Sequence, residues 1–526
     1  MLRRTVIAAA AAALVAAGSA SAAQYVAPAG SGALFLFSGH GWGHGVGMSQ
    51  YGAYGFAQNG YTVDEILQHY YPGTTLGPAP ETSIRVLLAD GRKSLAISST
   101  APFAVRDANG TTQTLPAGKT TLTPTLLGLT APLTFSPSAG ATLSLTRAYR
   151  GTIVVDAIGG KLRAINVLPL EQYLYGVVPA EMPSSWLPAA LQAQAIAARS
   201  YALATRKLAA PYDVYSDTRS QMYLGVSVEN PATNAAVDAT KGQVVLYQGA
   251  IATTVFSSTS GGETESAADA WGTTVPYLVP VPDPFDAISP FHDWGPVPLP
   301  SATLAKQLRV TGPIVDADTT PNLAGRVAQL TLLTPFGQST VTGATAESRL
   351  GLRSTWFGVG VLSLSTPVTI VPYGTTVTLN GLVHGVDGAV VEERTAPGPW
   401  TDVQPATEGP VSLTETPQAT TDYRLATPDA AAAYVRVRVT PTIALTEQTT
   451  SLVSGTVQPL LPGAAVAVQQ QNPAGTTPAW TTLATGSVDG TGAFSVPVSL
   501  QPGTYRVLVT PSAGYSPGSA VVTVAG

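Results

Sequence analysis

The sequence predicts an α+β protein: a mixed, β-rich domain with packed helices over residues 24–365, followed by two small β-sandwich modules, Ig-like or fibronectin-like, over 366–441 and 442–526. Three observations lead there. Helical stretches lie only before about residue 365, the clearest being an Ala-rich run at 187–203. Beyond it, Val377-Thr-Leu-Asn-Gly-Leu-Val, Tyr434-Val-Arg-Val-Arg-Val and Tyr505-Arg-Val-Leu-Val alternate or run β-branched between Gly and Pro turns, the pattern of sandwich strands. A weak internal repeat then divides that part in two. Asn380-Gly381 corresponds to Ser454-Gly455, Pro399-Trp400-Thr401 to Ala479-Trp480-Thr481, and Asp422-Tyr423-Arg424-Leu425 to Thr504-Tyr505-Arg506-Val507, with Pro441 at the joint. Trp400 and Trp480 are expected in the sandwich cores.

Length and composition agree. A chain of 526 residues accommodates two to four domains of about 100–200 residues. Only 11% of residues are charged, but 45% are hydrophobic, so the chain can build cores rather than remain disordered. The 26 basic and 31 acidic side chains leave no positive footprint for nucleic acid. Cys is absent, which removes disulfides, thiolate nucleophiles and Cys-ligated metal. At the N-terminus, Arg3 and Arg4 precede an apolar run at 5–18 and the small-x-small triplet Ala20-Ser21-Ala22. Residues 1–23 therefore read as a cleaved signal peptide, and the mature protein as exported with no stable membrane span.

Reactive side chains concentrate in 24–365, in three stretches. The first is Phe37-Ser-Gly-His-Gly-Trp-Gly-His-Gly-Val-Gly-Met-Ser-Gln-Tyr-Gly-Ala, which holds His40 and His44. So many glycines argue against a helix and for a loop whose backbone approaches a neighbour or ligand closely. The His pair has the i, i+4 spacing of a metal site on a helix, but a Gly-rich loop does not fix such geometry, and only His69 lies nearby as a third imidazole. No metal and no cofactor are expected. A dinucleotide site is excluded by the lack of an acidic residue at the distance a ribose requires.

The second stretch runs from Leu170 through Val178-Pro-Ala-Glu-Met-Pro-Ser-Ser-Trp into the Ala-rich helix, with Ser184 or Ser185 expected to cap it and Pro188 in its first turn. Glu181 stands between apolar, proline-fixed neighbours ahead of that helix. Apolar surroundings would raise its pKa and a helix N-terminus would lower it, and a carboxylate that merely caps the helix is an open alternative. The third stretch, Val255-Phe-Ser-Ser-Thr-Ser-Gly-Gly-Glu-Thr-Glu, lacks the surroundings of a nucleophilic serine, so Ser257, Ser258 and Ser260 read as hydrogen-bonding loop residues. Glu263 and Glu265 are possible second acids.

Together with Gly351-Leu-Arg-Ser-Thr-Trp-Phe and Tyr61-Thr-Val-Asp-Glu-Ile-Leu-Gln-His-Tyr-Tyr-Pro-Gly, these stretches resemble the stage II sporulation protein D (SpoIID/LytB) domain family. The resemblance implies lytic cleavage of peptidoglycan glycan strands after N-acetylmuramic acid, with Glu181 as the catalytic acid/base. It makes His44, Gln50, Tyr51, Gln194, Arg199, Tyr201, Ser260 and Gly261 candidate substrate-binding residues, and the Gly-rich loop adds His40. The implied setting is secreted or at the cell wall. Some family members carry a Cys/His zinc site in the segment matching 215–225; this chain has neither residue there, so no zinc is carried over. The Gly-His-Gly motif, which closes the domain in familiar members, opens it here. A circular permutation would require Leu34–Phe37 to lie beside 354–361. Two other readings stand beside lytic cleavage: a noncatalytic wall-binding enhancer partnered with a wall amidase, and a hydrolase pairing Glu181 with Glu263, Glu265 or Asp283.

Overall fold

The structure, a computed structural model, describes residues 24–27, 30, 32–395, 397–472 and 479–524. The expected signal peptide at 1–23 lies outside the described residues. The chain is α+β and strand-rich, as its pattern predicts.

Its N-terminal part is organised by a seven-stranded sheet in the order Val214–Tyr215, Ser83–Arg92, Lys161–Pro169, Thr152–Ile158, Leu133–Pro137, Phe103–Arg106, Thr112–Leu115. Helix α3 (Leu170–Tyr175) packs on it, and helices α1 (Gln50–Gln58), α2 (Val63–Tyr70) and α4 (Val178–Glu181) pack against α5 (Pro188–Ala204). Helix α5 is central rather than amphipathic. Ala190, Leu191, every residue from 193 to 200, Ala202 and Leu203 are buried, and the small alanines let α1, α2 and the strand Gln243–Tyr247 approach from several sides. Neither Ser184 nor Ser185 caps it. The N-cap is Leu187, and Pro188 follows at the first position, where its missing N–H leaves nothing unsatisfied.

The Gly-rich stretch is a loop only in part. Gly41, Gly43, Gly45 and Gly47 all adopt positive φ, but α1 starts three residues later, its first turn capped by Ser49 Oγ accepting from the Gly52 N–H at 3.0 Å. The glycines inside α1 serve packing. A Cβ on Gly52 would collide with the Tyr70 hydroxyl and the Asp283 carboxyl, and one on Gly55 with Phe285. Helix α2 begins with a Thr62/Glu65 capping box.

The expected pairing of Leu34–Phe37 with 354–361 is present. Strand Leu34–His40 runs antiparallel to Phe357–Ser365, with Leu34 opposite Leu362 and Gly39 opposite Phe357. These two are the middle of a five-stranded sheet that continues through Val377–His384 to Gly409–Glu415 and ends on its other side with Asp293–Pro300. Phe35 and Phe37 pack with Leu304, Leu330 and Val361 on one face, while Leu34, Leu36 and Leu362 pack with Leu379, Val391 and Tyr423 on the other. A strand buried on both faces reads as a continuous apolar run, which explains Leu34-Phe35-Leu36-Phe37.

The boundary expected at 365/366 therefore falls within a sheet. Residues 366–441 do not hang from a short joint near Ser365: their core is completed by Leu34 and Leu36, and Tyr25–Val26 pairs in parallel with Ala430–Ala431. Residues 442–526 have their own core between a three-stranded and a four-stranded sheet. Trp400 and Trp480 are not core residues. Each is half-buried beneath a guanidinium, Arg424 4.1 Å above Trp400 and Arg506 4.0 Å above Trp480. The residues matched by the repeat form two arginine–tryptophan stacks, while Tyr423 and Tyr505 are buried.

Candidate active site

Helix α4 is a single turn with Pro179 near its start and Glu181 at its end, and the next helix begins only at Pro188. Glu181 thus gains nothing from a helix N-terminus, and it does not cap α5. Its side chain is 7% exposed. Oε1 accepts from the Met222 N–H at 2.9 Å, and Oε2 from Gln50 Nε2 at 3.4 Å. Burial pushes its pKa up to about 7, against the opposing pull of those two donors. Tyr173 on α3 and Tyr201 on α5 also face it, and its negative charge helps raise both phenols. An acid with that value exists in both protonation states near neutral pH, as general acid/base work requires.

The other candidates divide into those beside Glu181 and those in the framework. Gln50 touches the carboxyl directly. Next to it on α1, Tyr51 lies edge-on to Trp186 with ring centroids 4.9 Å apart, and Tyr54 stacks on Trp186 at 4.6 Å and 6°. All three rings are half-exposed and form an aromatic wall on the helix that carries Gln50. Gln194 is fully buried in α5, with no hydrogen-bond partner for either amide atom.

Arg199 is not placed to meet a ligand. It is fully buried, forks onto Glu171 at 3.0 and 2.6 Å, and donates to the carbonyls of Gln243 and Val237, so it ties α5 to α3 and to the following strand. Ser260 and Gly261 also serve the framework. Ser260 Oγ donates to Asp283 at 2.7 Å, and the Gly261 N–H donates to Asp286 at 2.9 Å. Asp286 also accepts from Ser49 Oγ and Thr259 Oγ1, while Tyr70 donates to Asp283. This carboxylate pair fastens the serine-rich loop to α1 and α2. Asp283 too is pushed up to about 7, by burial and by Asp286, but it is 1% exposed and occupied by hydroxyl donors.

His40 is exposed, 2.6 Å from Asp293 and packed against Trp356. His44 accepts from the Val46 N–H, sits edge-on to Trp271, and is lowered to about 4 by burial and the nearby Arg326. Neither contacts Glu181. His69 pairs with the Pro282 carbonyl instead of converging with them. Glu265 is held by Asn322 and Arg326, so this possible second acid is engaged away from Glu181, and the Glu263 main chain bridges to Pro282. The motifs nevertheless gather. The Trp42 and Thr259 backbones bond reciprocally, the Gly43 N–H donates to Arg353, and the Ser354 hydroxyl to His40.

Sequence reasoning missed Met222, Tyr54 and Trp186. Trp186 closes the Glu-Met-Pro motif and Tyr54 lies one turn after Tyr51, so an α1 helix recognised in advance would have aligned the two tyrosines. A main-chain N–H such as that of Met222 leaves no mark in sequence.

Residues 159–247, from the strand Lys161–Pro169 through α3, α4 and α5 to the strand Gln243–Tyr247, match the family model described as stage II sporulation protein, SpoIID. Over this segment the chain is similar to the SpoIID family. An uncharacterized protein of Brachyspira hyodysenteriae is 38% identical over 135 residues, covering 25% of this chain and 36% of that one. The amidase enhancer of Bacillus subtilis is 42% identical over 113 residues, 22% of this chain and 15% of the enhancer. Stage II sporulation protein D of Bacillus subtilis is 34% identical over 145 residues, 24% of this chain and 42% of that protein. The match thus spans less than half the length of each relative. Among the described residues, no helix is long and apolar enough to cross a membrane.

Proposed function

We propose that this protein is an exported peptidoglycan lytic transglycosylase in which Glu181 acts alone, first as acid and then as base. One observation carries the reading: within the SpoIID-matching segment, an enclosed glutamic acid is held near pH 7 by burial, with only a main-chain N–H and an amide as partners. Protonated Glu181 gives its proton to the glycosidic oxygen leaving C1 of N-acetylmuramic acid. The resulting carboxylate takes the proton of that sugar's C6 hydroxyl as the oxygen attacks C1 and closes a 1,6-anhydro ring. The proton balance closes on one residue, and no water enters. A two-carboxylate hydrolase would need a second acid across the bond, and Glu265 and Asp283 have other partners.

The half-exposed rings of Tyr51, Tyr54 and Trp186 suit sugar faces, and the low charge of the chain favours stacking and hydrogen bonds over electrostatic steering. Export through residues 1–23 and placement at the wall belong to the same reading. So does a circularly permuted order, which the pairing of Leu34–His40 with Phe357–Ser365 supports. The relative named amidase enhancer favours one alternative, a noncatalytic partner of a wall amidase. Glu181→Gln decides between them. Lytic activity on purified peptidoglycan should fall by about 10²–10⁴ with the fold intact, whereas an enhancer would stimulate its amidase equally well in either form.

A further inference from the structure

We propose that Gln221 is a positioning residue that holds the Met222 N–H on the Glu181 carboxyl. The donor comes from the segment between α5 and the 3-10 turn Gly225–Val228, which lacks regular secondary structure from 216 to 224 and has no reason of its own to stop at Glu181. Gln221 supplies one. Its side chain is 2% exposed and bound at both ends: Oε1 accepts from Tyr173 Oη at 3.1 Å, and Nε2 donates to the Ala198 carbonyl at 3.3 Å. One partner belongs to α3 and the other to α5, the two helices whose tyrosines face Glu181. Two residues on, Tyr223 is buried and donates to Asn166 Oδ1 at 2.8 Å, and the Leu224 N–H donates to the Gly176 carbonyl at 3.1 Å. Alternation along the segment puts Gln221 and Tyr223 inward and leaves Met222 half-exposed between them, with its N–H on the carboxyl.

The consequence has a definite sign. A hydrogen bond to a carboxylate favours the charged form, so loosening the Met222 N–H leaves burial less opposed and raises the pKa of Glu181 further. The groups facing Glu181 are Tyr173 from α3, Tyr201 from α5, Gln50 from α1 and the Met222 N–H. Burial keeps both phenols neutral, so none of these groups adds a competing charge in the working range.

The test is Gln221→Met, which keeps length and apolar bulk and removes both side-chain hydrogen bonds, with Tyr173→Phe as a milder variant that deletes one. Glu181 is followed by carboxyl ¹³C NMR in protein labelled at glutamate, its resonance assigned by its loss in Glu181→Gln. The expected result is an upward move of the Glu181 midpoint by about one pH unit in Gln221→Met. Tyr173→Phe should move it less, and the double variant no further than Gln221→Met alone. A midpoint unchanged in a folded Gln221→Met protein overturns the proposal. So does an unchanged midpoint in folded Tyr173→Phe, should Gln221→Met fail to fold. The activity consequence rests on the lytic reading: the alkaline limb of lysis should move with the midpoint. Absence of lysis in the unaltered protein would sink that reading but leave the titration result standing, so the two failures are distinguishable.

Discussion

Glu181 is acidic at the wrong pH for a surface carboxyl because it is enclosed and meets no cation. Its ordinary value of 4.5 rises to about 7 through burial, partly offset by Met222 and Gln50. The folded protein therefore holds this proton more tightly than the unfolded chain, and stability falls as pH rises through that window. Replacing the acid by Gln removes the cost of burying a charge. Glu181→Gln should be more stable than the unaltered protein above pH 7, by about 1–3 kcal/mol, and show no such gain at pH 4. Thermal unfolding across pH 4–9 checks this; equal stability of the two proteins at pH 8 would mean that Glu181 ionises without penalty. The residue itself was legible, being an acid between apolar and proline neighbours. The direction of its shift was not, because that depended on whether a helix began at Ser184 or at Pro188.

Among the elements, α5 shows how far a pattern carries. Its alanines announced a closely packed helix, but a run of small residues does not distinguish a helix covered on one side from one surrounded. Arg199 follows from that difference. In a surrounded helix, an arginine can persist only if its charge and donors are satisfied internally, and Glu171 with two carbonyls does this. Arg199→Ala should therefore lose about 3–5 kcal/mol of stability by leaving Glu171 unpaired. Denaturant melts should report the loss; a stable variant with weakened substrate binding would instead make Arg199 a substrate-binding residue. Helix α1 makes the converse point. Its glycines looked like loop residues, but Gly52 and Gly55 admit Asp283 and Phe285 against the helix, which aligns Gln50, Tyr51 and Tyr54. Helix propensity was overridden by packing.

On the scale of the whole molecule, the sheet through Leu34–His40 unites what the change from helical to strand pattern near residue 365 separated. The alternation of Gly and Pro turns with β-branched runs located the strands of 366–441 but could not reveal that their core includes Leu34, Leu36 and Leu362. A chain ending at 365 would expose that face of the sheet and should be insoluble or misfolded, whereas one ending at 441 should keep the fold and the activity. Limited proteolysis and light scattering of the two truncations test this, and a monomeric, lytic 24–365 fragment would show that the shared sheet is dispensable. The same sheet brings the Gly-rich loop, the serine-rich loop and 351–357 together beside α1, whose Gln50 touches Glu181. The claim that rests on this assembly is that one carboxyl closes a sugar ring without water. Mass spectrometry of the fragments released from purified peptidoglycan by residues 24–526 tests it most directly. The account predicts muramic acid ends one water lighter than the hydrolysis product, the 1,6-anhydro form, and none from Glu181→Gln; free reducing ends, or anhydro ends released equally by Glu181→Gln, would contradict it.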